Sequence, residues 1–214
     1  MTVAIVWTYF TPSYWEVGYM PEQPVAYSHQ LHAGTLGIDC RYCHDNVEES
    51  GYSNIPSSSV CMSCHTVVDN AQGYLAKAVS TTGGDSVHWA NENLAKLRDA
   101  YDHGEAIEWT RVHKLPDYVH FDHSIHVNLG VSCYSCHTRI DQMPEVYQSQ
   151  PLSMGWCLDC HREPEHHLVD TSEVDVTNLR RVQEMLSQSD YAQTTGMLLA
   201  QQVDPPQNCG ACHY

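Results

Sequence analysis

No cysteine is spare in these 214 residues: all ten fall inside five short motifs. Phenylalanine is nearly absent, with two residues against 13 Tyr and 5 Trp, so aromatic packing must be mostly of the amphipathic kind. Cations are scarce as well. Ten Lys and Arg against 26 Asp and Glu leave a formal charge of −16, which excludes nucleic acid as a partner. That balance suits either a positively faced partner or a solvated acidic surface. The apolar run over residues 1–10 is too short to cross a bilayer alone. No cationic n-region and no small-residue cleavage site of a secretory leader is visible.

What is present is a repeated pattern. The cysteines pair as Cys40 and Cys43, Cys61 and Cys64, Cys133 and Cys136, Cys157 and Cys160, Cys209 and Cys212, each pair followed at once by His44, His65, His137, His161 or His213. Cys-x-x-Cys-His is the attachment signature of c-type haem. Two intervening residues let both sulfurs meet one porphyrin edge while the histidine turns beneath the iron. Zinc sites also use Cys-x-x-Cys, but they close with a second pair or with His at longer offsets. Neither zinc nor a disulfide framework explains a His after every second Cys. The pattern therefore predicts five covalently bound haem c groups.

Five macrocycles in 214 residues leave too little chain for a separate protein core around each. The expected fold is mostly irregular with short α-helices, stacked haems as its core and little or no β-sheet. Haem is attached outside the cytoplasm, so the chain must be exported. Residues 1–10, with Tyr14, Trp15 and Tyr19 following, resemble the outer end of a membrane anchor and its aromatic belt; a buried N-terminal strand or a leader remnant is the competing reading.

Two segments look alike. Tyr27-Ser28-His29-Gln30-Leu31-His32 precedes the first two motifs, and Phe121-Asp122-His123-Ser124-Ile125-His126 precedes the third and fourth. This reads as a duplicated dihaem unit with a fifth haem added at the C-terminus, each unit leaning on its neighbour. Histidines three apart on a helical turn emerge on one side, offset along the axis, and can serve two different irons. His29, His32, His123 and His126 are thus the expected distal ligands, making the irons six-coordinate. For a fifth, His113 is the first choice. Met143 is an alternative distal ligand, and Met154 a weaker one because it lies three residues before Cys157.

The implied organisation is 1–20 as anchor end and interfacial segment, 21–66 as first dihaem unit, 67–112 as helical linker, 113–168 as second dihaem unit, and 169–214 as a C-terminal helix with the fifth haem. Two packing helices are predicted. One runs over Trp89 to Asp102, with Leu94, Leu97 and Tyr101 in phase and Gly104 as its stop; the other runs over Thr177 to Ser187, with Leu179, Val182 and Leu186 in phase and Thr177 as cap. Ser80 to Gly84 reads as a loop, and Val203 to Pro206 as a helix break.

The chain resembles the pentahaem cytochrome c subunit of bacterial alternative complex III, and more broadly the multihaem cytochrome c3 group. The resemblance is carried by Arg111 to Asp117, Phe121 to His137 and Pro151 to Arg162, together with the aromatic N-terminal stretch. It implies a membrane-anchored haem wire on the periplasmic face of the inner membrane. The partners it implies are an iron–sulfur subunit, quinol-binding membrane subunits, and a periplasmic cytochrome or blue copper protein as acceptor. No catalytic residue is assigned to this chain. A freestanding periplasmic shuttle is the first rival. A multihaem reductase is the second, disfavoured because no Cys-x-x-Cys-Lys variant occurs.

Overall fold

A computed structural model describes residues 2–9, 16–66, 86–188 and 190–214; of the segments read from sequence, Tyr14, Trp15 and the loop at Ser80 to Gly84 lie outside them. The helices are α1 (Thr2–Tyr9), α2 (Cys40–Cys43), α3 (Ser58–His65), α4 (Ser86–His103), α5 (His123–Asn128), α6 (Cys133–His137), α7 (Met154–Arg162), α8 (Leu179–Leu186), α9 (Met197–Ala200) and α10 (Cys209–Cys212). Wider π-type turns cover Gln30–Thr35 and Ala192–Gly196. Among the described residues there is no sheet, only isolated antiparallel bridges between Val119 and His213 and between Val131 and Leu168. The fold is mostly irregular with short helices, as the motif density predicts.

The chain divides into two compact units. One comprises residues 1–21, 28–54 and 111–214; the other comprises 22–27 and 55–110. Residues 28–54, which carry the first motif, therefore pack with the C-terminal half, while the second motif lies in the smaller unit.

In the smaller unit α3 packs against α4. The Arg98 guanidinium donates to the His65 carbonyl at 3.4 Å. Met62 and Leu97 are buried, whereas Tyr101 on α4 is exposed. Gly104 ends α4 with φ of +67°. Its N–H reaches Tyr101 and the next one, Glu105, reaches Ala100, the wrap that satisfies a helix's last carbonyls. Gln23 closes the unit by bonding the Thr110 backbone on both sides, at 2.8 and 2.9 Å.

The larger unit holds a small polypeptide core. Val169, Val174, Val176, Val182, Met185 and Tyr191 form it, with Val127, Tyr134 and Leu186 packed at its edge. Helix α8 contributes Leu179, Val182 and Met185 from one face, at the spacing of an amphipathic helix. Its cap differs from expectation: the Asn178 side chain accepts from Arg181 N, while the Thr177 hydroxyl instead bonds Asp39 and Asp175. The Ser132 hydroxyl donates to the Val176 carbonyl at 2.5 Å and also accepts from Tyr134 N, tying α6 to this core. Gly130 has φ of +85°, and a Cβ there would lie 2.6 Å from the Val169 carbonyl oxygen. Only glycine permits that approach in that conformation.

Candidate haem-ligand sites

Each Cys-x-x-Cys forms one helical turn, so its sulfurs, three residues apart, emerge on the same side. Four of the five turns are capped by a side chain one residue upstream of the helix. Asp39 accepts from Arg41 N, Ser132 from Tyr134 N, Ser153 from Trp156 N and Asn208 from Ala211 N. Ser57 stands at the corresponding place before α3 without such a bond. The caps matter because turns this short cannot persist on propensity alone. None of the ten cysteines is paired in a disulfide. Cys40 and Cys133 share a hydrogen bond that lowers the first thiol's pKa and raises the second's, which sets the first and third attachment edges side by side.

Ring orientation comes from the backbone. His44 Nδ1 donates to the Asn54 carbonyl at 2.7 Å, and His161 Nδ1 to Pro206 at 2.7 Å. His32 Nδ1 donates to Ser28 at 2.9 Å, His123 Nδ1 to Gly51 at 2.8 Å and His126 Nδ1 to Asp122 at 2.6 Å. A carbonyl can only accept, so each of these rings carries its proton on Nδ1 and leaves the Nε2 lone pair available. This is how proteins orient metal-bound imidazoles and raise their basicity. The bond alone does not mark a ligand, since exposed His103 makes it to Asp99 at 2.9 Å.

Two ring pairs carry more specific information. His29 and His44 have centroids 6.5 Å apart with planes 2° from parallel. His126 and His161 have centroids 6.1 Å apart at 40°. An iron held between two imidazoles, with metal–nitrogen bonds of about 2 Å, requires centroids about 6.3 Å apart. Direct imidazole contact would be closer. His113 and His137 supply that contrast: their centroids are 4.5 Å apart and edge-on, with Nε2 of His113 3.4 Å from Nδ1 of His137. No iron fits between those two, so they are not a pair across one metal. The donor sets at the first and fourth motifs, each of two thiols, a proximal imidazole and an opposed imidazole at the right separation, fit haem c.

Electrostatics keep these imidazoles in the ligating form. Burial, then the charge of His44, pushes His29 down to about 4. Burial does the same to His113, to about 4, with His123 adding to it. His137 falls to about 3, again through burial first and then His113. His126 is also lowered, chiefly by burial. Neutral imidazole is what a metal binds.

The remaining residues singled out from sequence are placed as follows. Met143 is buried, and its carbonyl accepts from Gln30 N at 3.0 Å. Met154 opens α7 and is 64 % exposed. His213 follows α10 in extended conformation, 5.7 Å from the Tyr118 ring. Sequence reading missed the carbonyls of Asn54, Gly51 and Pro206 that set the rings. Backbone oxygens leave no signature in residue type. Among the described residues no group of three or more His, Cys, Asp or Glu converges, as it would in a zinc centre of four thiolates or of two thiolates and two imidazoles.

Comparison with known proteins agrees with this chemistry. Residues 119–214 match the family model for cytochrome c7 and related cytochrome c. The chain is 25 % identical over 165 residues, 68 % of its own length and 70 % of the relative's, to the protein named menaquinone reductase, multiheme cytochrome c subunit, of Nitratidesulfovibrio vulgaris. Opposed imidazoles, paired thiols on single helical turns and the matched region point the same way: residues 119–214 form a cytochrome c7-like multihaem domain, and the donor sets fit covalently bound haem c.

Proposed function

We propose that this chain is the pentahaem electron-transfer subunit of a membrane quinol-oxidising complex of the alternative complex III kind, passing electrons to a periplasmic cytochrome or copper protein. The spacing of the His29–His44 and His126–His161 rings carries this reading. Haem c, held by the paired thiols with His44 or His161 and the facing His29 or His126, would supply one-electron chemistry there. The chain's part is to hold those ligands still. Carbonyl-anchored Nδ1 protons fix the rings of His32, His44, His123, His126 and His161, capped turns hold four of the five thiol pairs, and burial disfavours the protonated forms of His29, His113, His126 and His137.

Repetition extends the assignment. His29 opposes the first motif of its segment and His126 the second motif of its own. By the same logic His123 serves the third motif, whose His137 feels its charge. His32 and His113, or Met143 in place of the latter, complete the distal set. Residues 21–66 and 113–168 then act as the two dihaem segments, with the fifth haem at Cys209 and Cys212.

The N-terminal helix supports a membrane location. Helix α1 has no charged residue, and Val3, Ile5, Val6 and Trp7 are exposed on it. No helix among the described residues is long and apolar enough to cross a membrane; the exposed apolar side chains of α1 are what support a membrane-facing role for it. Downstream of it, Gly18 N bonds the Gln148 carbonyl at 2.7 Å, and Gln148 N bonds the Tyr19 carbonyl at 3.0 Å. Lys114 Nζ lies 5.2 Å from the Tyr19 ring centre. This segment is thereby fastened to the larger unit.

The relative's name favours a second reading, in which the same relay feeds a quinone-reducing complex. Membranes containing the protein distinguish the two. Adding a quinol should reduce the haem c bands if the complex oxidises quinol. Reoxidation of pre-reduced haem by added quinone, with no reduction by quinol, would support the second reading. Absence of both responses, with the protein leaving the membrane in carbonate, would leave a freestanding shuttle.

A further inference from the structure

The C-terminal motif is held by a device that the first, third and fourth motifs lack. The turns of those three carry on into irregular chain or a further short turn, but α10 passes directly into an extended segment, His213 having φ −129° and ψ 142°. That segment pairs antiparallel with residues 118–120. Val119 and His213 form the bridge, His120 N donates to the Cys212 carbonyl at 2.8 Å, and Tyr214 N donates to the Tyr118 carbonyl at 3.3 Å. Side chains clamp the same clasp. The Tyr118 ring lies 5.7 Å from the His213 ring, and the His120 ring lies 3.6 Å from that of Tyr214.

The contrast with His44 and His161 concerns what fixes the imidazole plane. Those rings are held by an Nδ1–H to a backbone carbonyl. Among the described residues the His213 ring has no protein hydrogen-bond partner, and its ring contact is to Tyr118. The clasp also joins the last motif to the lead-in of His123 and His126, because residues 118–120 run directly into Phe121. Phe121 itself packs against both of those histidines, at 4.8 and 4.7 Å between centroids.

We propose that Tyr118 is a positioning residue for the C-terminal haem. Held on the 118–120/212–214 clasp, its ring fixes the rotation of the His213 imidazole about its bond to the iron, the task that a backbone carbonyl performs at His44 and His161. This rests on the pentahaem reading. The plane of an axial imidazole sets the rhombicity of a low-spin ferric haem and bears on its potential, so the role has a spectroscopic readout that plain structural support does not.

The test uses the full-length matured protein with Tyr118→Leu and Tyr118→Phe, recording haem mass, low-temperature ferric EPR and a redox titration. In Tyr118→Leu one ferric signal of the five should move, along with one midpoint potential, while the rest stay in place. Tyr118→Phe should restore both, since the ring and not the hydroxyl does the positioning. Loss of the C-terminal haem from Tyr118→Leu would overturn the inference, since it would show structural support of the turn and not positioning of the ring. Unchanged EPR and potentials at full haem mass in Tyr118→Leu would overturn the inference, as would equal shifts at every haem. A wild-type protein bearing no haem at Cys209 and Cys212 would overturn the pentahaem reading instead, and peptide mass mapping separates that outcome from the others.

Discussion

His29 and His44 face each other across 6.5 Å with their rings 2° from parallel. Rings in direct stacking or hydrogen-bonded contact come closer, and this separation is the one that a metal held between two imidazoles would need. His126 and His161 repeat the separation at 6.1 Å with a 40° twist. The two sites should therefore differ in EPR rhombicity while sharing a ligand set.

Removing a distal ring should open one iron. In His29→Ala, carbon monoxide added to reduced protein should perturb about one fifth of the Soret absorbance, and His126→Ala should do the same at a second haem. The double variant should show the sum. Wild-type protein should respond very little. A strong wild-type response would identify a five-coordinate haem and reopen the multihaem reductase alternative.

The small valine core is separable from the haem sites. Val182 is fully buried and belongs to no ligand set, so Val182→Ala should cost about 2 kcal/mol, the loss of two buried carbons plus a partial cavity. Denaturant unfolding followed by far-UV circular dichroism measures it, with haem content expected to stay at the wild-type level. Gly130→Ala should be comparably harmful, through its positive φ and the 2.6 Å approach to the Val169 carbonyl.

Acid sensitivity has a defined source in Arg41. Its guanidinium bonds Asp39, Glu48 and Asp175 at 2.9, 3.1 and 2.5 Å. The Arg41 hydrogen bond holds the Asp39 carboxyl at about 2, below its usual 3.8. A depressed carboxylate stabilises the fold fully above the unfolded value, and that contribution disappears as pH falls through 3.8 toward 2. Asp39→Asn should flatten the stability profile in that window, costing its full share at neutral pH, about 1 kcal/mol for so exposed a group, and nothing at the acid end where Asp39 is already protonated. Thermal unfolding against pH checks it.

How much of this could be read from the chain alone depends on range. The attachment motifs were legible because haem attachment needs contiguous residues, and the paired histidines because they recur in two segments. The end of α4 at Gly104 was legible too, as only a glycine takes its φ of +67° cheaply. Pairing was not legible: the His161 ring is fixed by Pro206, 45 residues away, and His123 by Gly51, 72 residues away. Arg41 lies inside a motif, yet it reaches Asp175, 134 residues on. Val182 was read as a packing residue, but Val169, Val174 and Val176 escaped notice because they lie in irregular chain, where no period advertises burial. His113 stood out as a ligand candidate, but its position beside His137 follows from packing that no local pattern encodes.

The central claim is that every Cys-x-x-Cys-His turn carries a covalent haem held between side chains. Intact mass spectrometry of the matured protein tests it most directly. The account predicts the polypeptide mass plus five haems, with Cys40, Cys43, Cys61, Cys64, Cys133, Cys136, Cys157, Cys160, Cys209 and Cys212 all unreactive toward thiol reagents. A mass lacking one or more haems, with the corresponding cysteine pair free to alkylate, would contradict it.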